Sequence, residues 1–262
     1  NPMVDFARLK ERNIVLANVA GITAASAMFV FFVSSQTILQ VPTYASGLGQ
    51  TTFYAGLASL PCCLTMLVLA PIMGRAVGTR GPRPVMIVGG GLVLLGGVLF
   101  ALFNRTVLEA TLDAIPILIG VIAAFIAMTN IVVLSSRRQE AGIQTGMNQT
   151  FRNIGSAIGP VLASSIISSF TQSVVVAEVP NPANPSVLVP IYRSFPSLEA
   201  YQIAFLAVAV LGALTILMAL GLRNYRYLPD GTRVEGPVAA PPAGLRPAPS
   251  AGEASAAPAG GH

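Results

Sequence analysis

Between Arg12 and Arg75 the chain runs for 62 residues without a single charged side chain. A water-facing fold could not tolerate that. Backbone N–H and C=O groups inside such a run can leave water only if they pair with one another, which in lipid means helices or a closed barrel. The run is also too long for one crossing of about 20 residues. The polar, turn-rich stretch Pro42–Thr52 divides it, so the first 80 residues predict a helical hairpin in a bilayer.

Composition extends this to the whole chain. Charged residues make up only 10% and hydrophobic ones 53%, where a soluble domain carries roughly a quarter charged residues. Further charge-free blocks follow Arg83, Asp113, Arg152 and Glu199. The blocks predict six spans, at about 13–41, 52–74, 84–104, 114–136, 146–173 and 199–222. The fold class is therefore an all-α integral membrane protein, a six-transmembrane-helix bundle.

The basic residues orient the bundle. Arg8, Lys10, Arg12, Arg75, Arg80, Arg83, Arg137, Arg138, Arg223 and Arg226 fall on one side of the alternating spans, against Arg105 and Arg193 on the other. Lys and Arg collect in cytoplasmic connections, so both termini are expected in the cytoplasm. Residues 1–12 read as a cytoplasmic linker; with no initiator methionine, they look cut from something longer. The loop at about 174–198 holds five prolines and is expected to be extended and external. The tail 226–262 is Pro/Ala/Gly-rich and is expected to be disordered.

The net charge of +5 is scattered in short clusters, which argues against a nucleic-acid partner. No nucleophile, base or metal constellation is visible, so neither an enzyme nor a metal site is expected. Cys62 and Cys63 are adjacent in an apolar block and read as packing residues. No Asp or Glu lies within a predicted span. Asp113 and Glu199 fall at span ends on the outer side.

The helices can also be read for faces. On the first span Asn18, Ala25, Phe29, Phe32, Gln36 and Gln40 share a stripe within roughly 80°. Amides among aromatics suit a cavity for an amphipathic or apolar ligand, although Asn18 and Gln36 would also serve as interhelical hydrogen-bonding groups. Asn130 on the fourth span is a further cavity candidate. On the fifth, Asn148, Arg152, Gly155 and Gly159 lie within roughly 60° of one another, with Pro160 following, while Gly146 faces the opposite way. Arg152 is the one charge well inside an apolar block. It reads either as a gating or coupling group or as a structural arginine reaching the interface. The glycines of the third span, Gly89–Gly91, Gly96 and Gly97, predict close helix approach.

Three stretches resemble the major facilitator superfamily, and more closely the C-terminal half of a fourteen-span drug:proton antiporter of the multidrug-efflux type. The segment Asn1–Asp5 followed by Arg12-Asn13 is similar to the linker before the ninth span. Gly74–Arg83 resembles the family's cytoplasmic Gly-x-Leu-x-Asp-Arg-x-Gly-x-Arg/Lys loop. Ala76, Gly78 and Thr79 stand where that loop has leucine, acid and arginine, while Gly74, Gly81 and Arg83 remain. Gly146, Gly155, Gly159 and Pro160 match the antiporter pattern Gly-x8-Gly-x3-Gly-Pro, and Asn148 with Arg152 resembles the Asn-x-x-x-Arg of the penultimate span.

The resemblance implies a bundle that rocks against a missing N-terminal half, with the first and fourth spans lining the cavity. The second and fifth would form the moving seam, with Asn148, Arg152, Gly155, Gly159 and Pro160 as gating or interface residues. It further implies a multi-pass carrier in the cell membrane that exports small lipophilic compounds. A proton gradient would supply the energy, no cofactor would be bound, and the proton-carrying carboxylate would come from the missing half. A polar-metabolite or lipid carrier of the same fold, or a non-transporting fragment, are the alternatives.

Overall fold

The computed structural model describes residues 12–136, 141–181 and 184–223, together with two short strands farther on. Six helices follow one another: α1 (Arg12–Gln40), α2 (Thr52–Arg80), α3 (Pro82–Leu102), α4 (Val107–Ser135), α5 (Ala141–Ser169) and α6 (Leu198–Gly221). A short 3-10 turn, Thr43–Ala45, separates α1 from α2. Five of the six are long and apolar enough to cross a membrane. The exception is α5, whose 29 residues carry the amides, the arginine and the small residues noted above.

Local chemistry sets the helix starts. Thr51 caps α2 by accepting from Tyr54 N, and Ser197 caps α6 by accepting from Ala200 N. Thr106 and Glu109 form a reciprocal capping box that begins α4 at Val107, ahead of the expected start near 114. A span boundary drawn at the nearest charge misses this, because Glu109 satisfies backbone donors and so belongs to the helix it begins. Asp113, expected at a span end, is thereby the seventh residue of α4.

The connection from α2 to α3 also differs from expectation. The Gly74–Arg83 stretch is no loop: α2 continues to Arg80, α3 starts at Pro82, and Gly81 alone joins them. Gly81 has φ +86° and donates to Val77 O at 2.9 Å, a conformation a side chain would strain. Arg83 reaches across to donate from Nη2 to Leu220 O (2.9 Å), covering an end carbonyl of α6.

The connection between α5 and α6, expected to be extended, is folded. β1 (Thr171–Asn181) and β2 (Asn184–Pro196) form an antiparallel hairpin, seated on the 3-10 turn by a Gln172–Ser46 hydrogen bond (3.0 Å) and an edge contact between Phe195 and Tyr44. Prolines fit because each strand of a two-stranded ribbon keeps one edge free of ladder bonds. A second small pair, β3 (Tyr225–Tyr227) with β4 (Arg233–Glu235), stands where the tail was expected to be disordered. The rest of 226–262 and the linker 1–11 lie outside the described residues, as do Arg137 and Arg138.

Packing is set by small residues. α3 is held between α4 and α6, and its glycines divide between them. A Cβ on Gly89 would sit 2.7 Å from Gly120 O of α4, and one on Gly97 would sit 2.7 Å from Ala209 N of α6. α1 lies among α4, α5 and α6, whereas α2 leans mainly on α4 and buries only 6% of its most apolar stretch. Where α1 begins and α6 ends, Asn13 and Arg223 exchange two hydrogen bonds, Asn13 Nδ2 to Arg223 O (2.9 Å) and Arg223 N to Asn13 Oδ1 (3.0 Å).

Candidate functional site

The polar face of α5 lies against α1. Asn148 Nδ2 donates to Asn18 Oδ1 at 3.0 Å, both amides buried. One turn on, a Cβ on Gly21 of α1 would come 3.1 Å from Arg152 Cγ, so the arginine stem passes close over the bare glycine. The guanidinium lies over the Phe125 ring of α4, with Cζ 3.6 Å from the centroid. Such cation–π contact stabilises a charge held away from water by about 2 kcal/mol. Arg152 Nε is buried without a hydrogen-bond partner. The site therefore holds a positive charge at the meeting point of α1, α4 and α5, steadied by an aromatic face and a neighbouring amide pair.

Above the charge the backbones close up. Gly155 packs on Ile22, and a Cβ there would lie 2.9 Å from Ile22 Cα. A Cβ on Gly159 would lie 2.7 Å from Phe29 Cβ and 2.9 Å from Ser26 O. Ser26 Oγ donates to Gly155 O (3.1 Å), crossing the interface where no side chain intervenes. Gly155 and Gly159 thus contact α1 of the same bundle. Pro160, the next residue, is inside α5 and does not end it.

The remaining candidates separate. Phe29 packs on Gly159. Phe32 lines an apolar cavity of about 20 Å³ with Phe31, Cys62, Phe100 and Leu118, room for one water-sized body. Gln36 Nε2 donates to Ser59 Oγ (3.0 Å), tying α1 to α2 at the edge of that cavity. Asn130 is exposed and turns back to Ile126 O (2.8 Å) on its own helix. The α1 stripe therefore divides between an interhelical amide pair, a glycine contact and a cavity wall. Gly74 is exposed on α2. Among the described residues no three of His, Cys, Asp or Glu gather closely enough to hold a metal ion.

Phe125, Gly21 and Ser26 escaped the sequence reading. Gly21 and Ser26 were legible in principle as small residues on α1 opposite the glycines of α5. Phe125 was one aromatic among many, and its place over Arg152 is set by how α4 and α5 cross. The opposite face of α5 is exposed and carries Gly142, Gly146, Gln149 and Asn153, the last two hydrogen-bonded to each other (3.1 Å). A Cβ on Gly142 or Gly146 would meet nothing within 4 Å.

Comparisons with known proteins bear on this arrangement. A family model described as Major Facilitator Superfamily matches residues 2–160. The Mycobacterium tuberculosis (strain ATCC 25618 / H37Rv) protein named multidrug resistance protein Stp is 25% identical over 198 residues, covering 72% of this chain and 35% of that protein. Multidrug resistance protein MdtG of Escherichia coli O9:H4 (strain HS) is 28% identical over 138 residues, covering 50% of this chain and 32% of that one. A crystal structure of a POT family transporter in complex with a thioalcohol-conjugated peptide matches 80% of this chain and 37% of its own, with a TM-score of 0.59 at 14% identity. That likeness is one of fold. The chain spans about a third of the length of these relatives.

Proposed function

This chain belongs to the major facilitator superfamily, and from that membership we propose that it is the C-terminal half of a transporter that exports lipophilic compounds against a proton gradient by alternating access. One observation carries the reading. In an otherwise apolar bundle, α5 leaves exposed a face of glycines and amides, Gly142, Gly146, Gln149 and Asn153. Amides facing hydrocarbon are costly, and bare glycines suit the close approach of another helix. A second helical bundle satisfies both demands. The N-terminal half is the partner of that shape, and the substrate then lies near the midplane between the halves.

In this reading α1 and α5 move as one rigid pair, locked by Gly155, Gly159 and the Asn18–Asn148 bond. The exposed faces of α5 and α2 slide against the other half. Arg152 supplies a fixed positive charge near the cytoplasmic end of the seam and acts as a gating group. Efflux is favoured over uptake by the relatives named as multidrug resistance proteins. The cell membrane is the expected location, with both termini cytoplasmic by the distribution of arginines.

The test is accumulation of a fluorescent cationic dye in cells expressing the full-length protein. Lower accumulation that a protonophore restores is the expected result. Export indifferent to the protonophore refutes proton coupling, and the absence of any transport favours a non-transporting membrane fragment.

A further inference from the structure

We propose that Asp113 is a proton-binding carboxyl inside the bundle, loaded from the outer side through Glu109; this rests on the proton-coupled reading above. The sequence alone placed Asp113 at a span end. The capping box moves it inside, six residues past Val107 and so about 9 Å along the helix axis. Ala110, Ala114 and Ile117, its neighbours on the same side of α4, are buried, and Ile117 meets Gly96 of α3. Asp113 therefore lies at the α3–α4 contact. Its Oδ2 is out of reach of solvent and has no hydrogen-bond partner among the described residues.

The groups around it do not offset a negative charge. On α3 the one charged residue is Arg83, at the far end and committed to Leu220 O. α1 offers only Arg12, also at the far end. On α2 the titratable groups are Tyr54, Cys62, Cys63, Arg75 and Arg80. Of these Cys62 packs on α4, and its Sγ is directed to Thr111 O. On α5 the charge is Arg152, which lies over Phe125, twelve residues farther down α4. α6, which packs on α3, brings Glu199 in its first turn and the buried Tyr201 hydroxyl. Along α4 itself the neighbour is Glu109, another acid. Asp113 as a whole is half-buried, but an ionised carboxylate whose Oδ2 is shut away from water without a partner is costly, and a bound proton relieves that cost.

Access follows from the same helix. Glu109 is four residues before Asp113 and so stands over it on the helix surface. It is half-buried, with Oε2 accepting from Arg105 N and Thr106 N at the solvent-exposed start of α4. Glu109 can thus collect a proton from outer water and pass it one turn inward. Of the acids on the described helices, Glu109 and Glu199 stand in first turns, and Asp113 alone lies deeper.

The full-length transporter in proteoliposomes tests this with Asp113→Asn, Asp113→Glu and Glu109→Gln. Three readouts apply: dye transport driven by a pH gradient, dye exchange without a gradient, and the infrared band of a protonated carboxyl in the purified protein near neutral pH. Asp113→Asn is expected to lower driven transport about tenfold or more, a usual size for coupling between sites, while sparing exchange and removing the band. Asp113→Glu should restore much of the driven transport, and Glu109→Gln should slow it. If the band survives in Asp113→Asn, or if driven transport does, the proposal is wrong. Loss of exchange together with driven transport, with no rescue by Asp113→Glu, points to a structural role and also overturns it. If the wild-type protein ignores the pH gradient but Asp113→Asn removes the band, the proton-coupled function fails and the proton site stands.

Discussion

The α1–α5 contact gives a quantitative test through Gly155→Ala. A Cβ built on Gly155 lies 2.9 Å from Ile22 Cα and 3.0 Å from Ala25 Cβ, where carbon atoms normally keep about 3.5–4.0 Å apart. Both helices are rigid, so α5 must withdraw by about 0.5–1 Å. Overpacking of this kind costs about 1–3 kcal/mol. The same movement stretches the Ser26–Gly155 hydrogen bond from 3.1 Å past useful range, which adds about 1 kcal/mol. Against this, alanine improves helix propensity over glycine by about 1 kcal/mol. Gly91→Ala on α3 is the control, since a Cβ there meets nothing within 4 Å, and it keeps the propensity gain without the clash. The two variants should differ by about 2–4 kcal/mol. At roughly 2–4 °C per kcal/mol for a domain of this size, Gly155→Ala should melt on the order of 5–10 °C below Gly91→Ala. Thermal unfolding of the full-length protein in lipid nanodiscs measures it. Equal melting temperatures would refute the claim that backbone contact holds α1 to α5. Gly159→Ala should behave alike, and the double variant should cost less than the sum, because one displacement relieves both clashes.

Two further expectations follow from the same helix pair. Asn18→Ala and Asn148→Ala should each cost about 1–2 kcal/mol by orphaning a buried amide, while the double variant should cost less than the two together; strict additivity in a double-mutant cycle would show that the 3.0 Å bond contributes nothing. Gly146→Leu fills open space in this half, so it should leave the bundle's own melting unchanged but sharply reduce dye export by the full-length protein. Normal export would place the docking face elsewhere.

Much of this architecture was legible before any coordinates. Charge-free runs located the helices because lipid leaves the backbone no alternative to internal hydrogen bonding. The 3.6-residue period correctly put Asn148, Arg152, Gly155 and Gly159 on one face, with Gly146 opposite. The α3 glycines announced close approach. What the period could not supply was the identity of the neighbour. Asn18 on a polar stripe is compatible with a cavity or an interhelical bond, and the crossing of α1 and α5 decides between them. Charge also misplaced the start of α4, although the capping signal Thr106-x-x-Glu109 was there to be read. The hairpin was hidden by its prolines, while its signal was the β-branched run Val174–Val176 on one strand and the aliphatic stretch Leu188–Ile191 on the other, where Val179 pairs with Val189 and Ala177 with Ile191.

The paired hydrogen bonds between Asn13 and Arg223 also constrain when the bundle can close during synthesis. Their partners are separated by 210 positions in the chain. At a synthesis rate of about 5–20 residues per second, Asn13 waits roughly 10–40 s for the residue that satisfies it. During that interval α1 sits in the bilayer with its α6 face open, and the Thr23 hydroxyl that later meets Thr215 at 2.9 Å has no such neighbour. α6 is therefore the helix that completes α1, and a ribosome stalled before α6 would leave that face of α1 open to membrane quality control.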